Sequence, residues 1–131
     1  MYYNKGVLIT SLKEVKDMSE FEKIVEQGML YDFYGELLTA HQKEIYEDLV
    51  YNDMSLNEIA AQYGISKQGV HDLIKRCTKT MQTYEDKLHM IARFNAIKGV
   101  TNEMISLMND RNVAPDDDIR TLANRITEEL I

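Results

Sequence analysis

The sequence predicts an all-α protein: a helix-turn-helix head followed by a helical C-terminal tail. Three observations carry this. Six glycines and one proline make up only about 5 % of 131 residues, too few for the tight turns of a sandwich or barrel. From Phe21 onward, apolar residues recur three and four positions apart, the period of a helix with one buried face. Between Ser55 and Cys77, apolar, alanine, glycine and valine positions fall at the spacing of a helix-turn-helix.

Residues 1–20 stand apart. A short β-like run, Val7 to Thr10, gives way to mixed charge without firm periodicity, so these residues are expected to form a loosely ordered extension. The head is expected over residues 21–80. Its first helix carries the stripe Phe21, Ile24, Val25, Gly28, Met29, Asp32, Phe33, Leu37 and Leu38. Thr39 followed by Gln42 is a capping box that opens a second helix, with Ala40, Ile45, Leu49 and part of Tyr46 facing inward. Asn52-Asp53-Met54 breaks it.

Ser55 with Glu58 is a second capping box. The helix it opens is short, because Gly64 stands where a left-handed C-terminal cap is wanted. Ser66 caps the next helix, which passes through Val70, Leu73, Ile74 and Cys77. The tail, residues 81–131, is expected to continue that helix through Met81, Tyr84, Leu88 and Ile91, with Gly99 ending it. Met104, Ile105, Leu107 and Met108 suggest a further helix, and Asn112 to Pro115 a loop. Pro115 followed by Asp116, Asp117 and Asp118 is a helix start, since proline suits the first turn and carboxylates the positive end of the helix dipole. Ile119, Leu122, Ala123, Ile126 and Leu130 form one face of that last helix. These tail stripes exceed what a small head can cover, so a homodimer is expected.

Within the helix-turn-helix, Ala60 is small because the second helix crosses over it, Gly64 makes the turn and Ile65 plugs the corner. With Val70, Ile74 and Cys77 turned inward, the opposite side of the second helix presents Lys67, Gln68, His71, Asp72 and Lys75, with Arg76 and Lys79 at its flank. Ser66 to Thr80 carries four bases and one acid, in a chain of net charge −7. Nucleic-acid binding must therefore come from this local patch, not from a whole-molecule field. Ser66, Lys67, Gln68, His71, Lys75, Arg76 and Lys79 are the candidate contact residues. Gln68 suits adenine, and Lys67 or Lys75 suit phosphate or guanine. Asp72, in the middle of this face, argues against a close approach by phosphate.

Catalytic and metal constellations are missing from the sequence. His41, His71 and His89 are dispersed, and the single Cys77 excludes an intramolecular disulfide and any multi-cysteine zinc site. No glycine-rich phosphate loop or nucleophile elbow occurs. The expectation is a protein that is not an enzyme, with no cofactor and no metal. The longest run without a charged side chain, Ile59 to Ser66, is eight residues, so no membrane insertion is expected. The lone cysteine fits a reducing cytoplasm.

Three blocks carry a family resemblance. The run Leu30-Tyr31-Asp32-Phe33-Tyr34-Gly35-Glu36-Leu37-Leu38-Thr39 resembles the opening of the bacterial YlxM family. Ser55 to Ala60 and Ile65 to Arg76 resemble its helix-turn-helix, and Tyr84 to Leu88 its following helix. The second helix is also similar to region four of bacterial RNA polymerase sigma factors, so the head is expected to be winged-helix-like or sigma-region-four-like. The family more often has arginine where Lys67 stands and tyrosine where His71 stands, which retunes the nucleic-acid face. The resemblance implies a small, dimeric, cytoplasmic helical protein whose gene lies beside those for the signal recognition particle protein and its receptor. Two functions follow as expectations. One is an accessory or regulatory protein that binds the particle protein, its RNA, or both. The other is a transcription regulator reading duplex DNA. For the first, an acidic face of Glu44, Glu47 and Asp48 would meet basic protein while Lys67, Lys75, Arg76 and Lys79 meet RNA.

Overall fold

The structure, a computed structural model, describes residues 19–110 and 115–130. The expected extension over residues 1–18 and the loop residues 112–114 lie outside the described part. Six α-helices and one 3-10 turn, with no strand, make up the regular structure of the described residues. They fall into two compact units, one ending at His89 and the other beginning at Met90.

In the first unit, α1 spans Glu20–Tyr34 and is capped by Ser19, whose Oγ accepts from the Glu22 amide at 3.2 Å. Its buried residues are Met29, Leu30, Tyr31 and Tyr34. Of the expected stripe only Met29 and Leu38 are in the core: Ile24, Val25, Gly28 and Phe33 are half-buried, Asp32 is exposed, and Phe21 is 71 % and Leu37 57 % exposed. Burial grows along α1, which leaves its first turn in solvent. At the other end the helix stops at Tyr34, and the 3-10 turn Gly35–Leu37 has three residues per turn, which shifts the phase of the stripe.

The three short connections follow the expected chemistry. Helix α2, Ala40–Val50, opens on the Thr39–Gln42 capping box, and α3, Leu56–Tyr63, on the Ser55–Glu58 box. Both reciprocal bonds are made in each. Ile45 and Tyr46 of α2 are fully buried, whereas Ala40 is exposed and Leu49 only half-buried. Gly64 ends α3 at φ 66°, ψ 32°, a left-handed cap. Ile65 behind it is 38 % exposed and closes the corner only in part. Ser66 then caps α4, Lys67–Leu88, its Oγ accepting from the Gly69 amide at 2.9 Å.

Helix α4 is the spine of this unit and packs against α1, α2 and α3. Val70, Ile74, Cys77, Met81 and Glu85 form its buried row. It does not continue to Gly99. His89 adopts φ 55°, ψ 31° and its amide donates to the Glu85 carbonyl at 2.8 Å, a left-handed stop made without glycine. The expected stripe is thus divided: Met81 is buried, Leu88 is 47 % exposed, and Ile91 belongs to the next helix.

Tyrosine hydroxyls tie these helices together. Tyr31 of α1 donates to Glu47 of α2. Tyr34 donates to the buried Glu85 of α4 at 2.5 Å. Tyr63 of α3 donates to Asp48 of α2 at 2.7 Å, and Tyr46 of α2 shares a 2.7 Å bond with Thr78 of α4. Each bond satisfies polar atoms that would be costly to bury alone.

In the second unit, α5 spans Met90–Asn109 and α6 spans Pro115–Leu130, and the two pack against each other. Gly99 lies inside α5, and Met104 to Met108 form its C-terminal part, not a separate helix. Ile91, Asn95, Val100 and Leu122 are buried. Of the face expected on α6, Leu122 is buried and Ile119 and Ile126 half-buried, while Ala123 is exposed and Leu130 is 70 % exposed. Asp116, Asp117 and Asp118 occupy the first turn of α6, and Arg125 pairs with Glu103 of α5 at 3.6 Å.

Candidate nucleic-acid interface

Helix α4 positions the candidate residues because its inner row is fixed. Val70, Ile74 and Cys77 are 6 % exposed or less, so the helix cannot rotate about its axis without opening the core. Burial raises the pKa of the Cys77 thiol, although Arg76 beside it pulls the other way. A buried, protonated thiol is a packing group, not a nucleophile.

All seven candidates, Ser66, Lys67, Gln68, His71, Lys75, Arg76 and Lys79, are exposed. Ser66 is already committed to its cap. The remainder, together with Asp72, form two rows at four-residue spacing. Lys67, His71, Lys75 and Lys79 make one, and Gln68, Asp72 and Arg76 the other. At 1.5 Å per residue the first row runs for about 18 Å along the helix. None of Lys67, Lys75, Arg76 and Lys79 makes an ion pair among the described residues.

The acids of the unit are treated differently. Asp32, Glu47, Asp48 and Glu85 all accept from tyrosine hydroxyls. Asp48 also accepts from the Asn52 amide at 2.8 Å and is only 8 % exposed. The expected acidic face on α2 is corrected accordingly: Asp48 is buried and Glu47 half-buried and bonded, which leaves Glu44 as its exposed member. Periodicity alone could not separate these acids, since their partners come from other helices.

Asp72 keeps its charge but is likewise engaged by neighbouring side chains. The Gln68 Nε2 donates to Asp72 Oδ1 at 2.9 Å, and His71 Nδ1 lies 3.6 Å from the same oxygen. The role of Asp72 towards Gln68 was the feature missed in the sequence, and the four-residue spacing of a glutamine and an aspartate is the signal that could have found it. Among the described residues, no group of three or more His, Cys, Asp or Glu side chains converges as a metal site. No helix among them is long and apolar enough to cross a membrane.

Comparison with known proteins agrees with this geometry. Residues 21–125 match the model of the family described as "UPF0122: Putative helix-turn-helix protein, YlxM / p13 like". A UPF0122 protein of Desulforamulus reducens is 41 % identical over 91 residues, 70 % of this chain and 75 % of that protein. One from Clostridium kluyveri is 40 % identical over 104 residues, 76 % and 93 % of the two chains. One from Lacticaseibacillus casei is 37 % identical over 112 residues, 84 % and 96 %. With its capped α3, left-handed Gly64 and crossing α4 inside the matched span, the chain belongs to the YlxM/p13-like helix-turn-helix family.

Proposed function

We propose that this protein binds nucleic acid through the exposed face of α4 and serves as an accessory or regulatory protein of the signal recognition particle pathway in the cytoplasm. The observation that supports it most is the set of four exposed cations, Lys67, Lys75, Arg76 and Lys79, without ion-pair partners among the described residues. In a chain of net charge −7, this is a local basic strip suited to a phosphate backbone. The particle as partner rests on the resemblance to YlxM. Binding of the purified particle protein and its RNA, separately and together, tests the proposal. Neutralising Lys75, Arg76 and Lys79 together is expected to weaken RNA binding at about 50 mM salt. Binding that is absent from all three samples, or unaltered by the substitutions, would reject it.

A second reading, a regulator of duplex DNA, is favoured by the Gln68–Asp72 bond. The aspartate that argued against a DNA-facing helix has a hydrogen-bond donor on one side and His71 on the other. For either reading the active species is a homodimer. Phe94, Ile105, Met108 and Leu130 of the second unit are each more than 40 % exposed, a large apolar area for an isolated chain. Light scattering at tens of micromolar protein is expected to give twice the 15.2 kDa chain mass, and a strictly monomeric mass would reject the dimer.

A further inference from the structure

We infer that Asp72 is a positioning residue: it holds the Gln68 carboxamide so that α4 reads one adenine in the major groove of duplex DNA. The inference rests on the duplex-DNA reading above. Gln68 is the second residue of α4, exposed in its first turn. In a helix-turn-helix, that part of the second helix enters the major groove and meets base edges.

The chemistry of the pair fixes the direction of the amide. An ionised carboxylate only accepts, so it is the Nε2 side of Gln68 that faces Asp72, as the 2.9 Å bond to Oδ1 records. One N–H is used. The carbonyl oxygen, pointing the other way, and the second N–H stay available. Adenine offers an N7 acceptor and an N6 donor in the major groove, and one amide with a free N–H and a free oxygen meets both. Without a partner, a glutamine side chain on the surface samples both amide directions and several rotamers, and ordering it on binding opposes association. A carboxylate one turn along the helix removes part of that freedom beforehand. Lys67 and Lys75 flank the pair, are exposed and make no ion pair among the described residues, so each can meet a phosphate on its side. RNA is a poor ligand for this arrangement, because the major groove of an A-form helix is too deep and narrow for side chains to read.

The fold supplies its own control. Gln82 donates to Asp86 Oδ1 at 2.9 Å with the same four-residue spacing, fourteen residues further along α4. It lies far from the helix N-terminus, so its aspartate can be altered without touching the reading position.

The test uses the full chain and random-sequence duplexes, followed by anisotropy titrations on the enriched site and its single-base variants. The wild type is expected to prefer adenine at one position by about tenfold or more, the discrimination of a bidentate contact. Gln68→Ala should abolish that preference. Asp72→Asn should tighten binding to every duplex, because a negative charge is gone, yet cut the adenine preference to a few-fold, because an asparagine accepts either direction of the glutamine amide. Asp72→Glu should keep most of the preference, and Asp86→Asn all of it. Circular dichroism of each variant should show unchanged helix content, since the substituted residues are exposed. If Asp72→Asn tightens all duplexes equally with the preference unchanged, Asp72 is only a charge, and the inference falls while the DNA reading stands. If no sequence is enriched, or the chain binds only RNA or single strands, both fall.

Discussion

At Tyr31, three packing demands meet. Its ring stacks on Tyr46 at a centroid distance of 5.4 Å, Tyr51 approaches edge-on at 5.5 Å, and its hydroxyl donates to Glu47. The ring also explains Gly35. A Cβ there would lie 2.6 Å from Tyr31 Cε1, and Gly35 has ordinary helical angles, φ −60° and ψ −30°. The glycine is required by close approach and not by its conformation. Gly35→Ala is therefore expected to destabilise the protein by about 1–3 kcal/mol, the cost of forcing extra volume into a packed site, measured by urea unfolding. A loss below about 0.5 kcal/mol would mean that the ring moves freely. The tyrosine bonds also set a pH response. The Tyr63 hydroxyl is pushed up to about 12, first by its bond to Asp48, then by burial, and then by the charges of Asp48 and Glu44. The folded state thus holds this proton more tightly than the unfolded chain, whose tyrosine ionises near 10. Below pH 10 both states are protonated and the stabilisation is complete. As pH rises from 10 towards 12, the unfolded state loses its proton first and stability falls. Burial raises the Tyr31 and Tyr46 hydroxyls in the same sense. Urea midpoints should decline across that window, less steeply in Tyr63→Phe, and equal slopes in the two proteins would contradict this account.

Among the elements, those legible in the sequence are the ones specified by local chemistry. Thr39–Gln42, Ser55–Glu58 and Gly64 each act within four residues of themselves, and each stands where its spacing put it. The Ser66 cap and the inner row Val70, Ile74 and Cys77 follow from the helical period for the same reason. What was not legible depends on partners distant in sequence. Tyr34 and Glu85 are 51 residues apart, and no periodicity announces that pairing. The boundary between α4 and α5 escaped because His89 takes the left-handed conformation despite its Cβ, while Gly99, a residue that often ends helices, sits inside one. Of the candidate site, the cationic rows were readable from four-residue spacing, but the bond that takes up Asp72 had to be seen in three dimensions. The turn itself offers a direct check. At Gly64 a Cβ would meet nothing within 4 Å, so the cost of Gly64→Ala comes from the backbone alone. It should be about 1–2 kcal/mol, the penalty of a left-handed residue bearing a side chain, with Gly64→Asn milder because asparagine tolerates that region. A neutral Gly64→Ala would mean that the connection between α3 and α4 adjusts without strain.

For the molecule as a whole, the decisive feature is how charge is distributed. Net charge −7 repels a polyanion at long range, so the proposed binding would have to act at short range, where α4 presents Lys67, Lys75, Arg76 and Lys79 without ion-pair partners among the described residues. Binding to tyrosine hydroxyls does not remove the charge of Glu47, Asp48 and Glu85, but it directs those carboxylates towards the packed helices. Short-range attraction against long-range repulsion gives a specific salt dependence. If each of the four cations neutralises one phosphate, a plot of log K against log salt should have a slope of about −3.6 on duplex DNA and about −2.8 on a single strand. Neutralising Lys75, Arg76 and Lys79 together should reduce the slope to about −0.9 on duplex DNA and about −0.7 on a single strand, because one phosphate contact remains. Removing a charge elsewhere, as in Glu128→Gln on the exposed end of α6, should leave the slope nearly unchanged and move only its intercept. Filter binding between about 50 and 200 mM salt covers the range in which these slopes separate. A slope that survives the triple substitution would place the nucleic-acid contact on another surface of the protein.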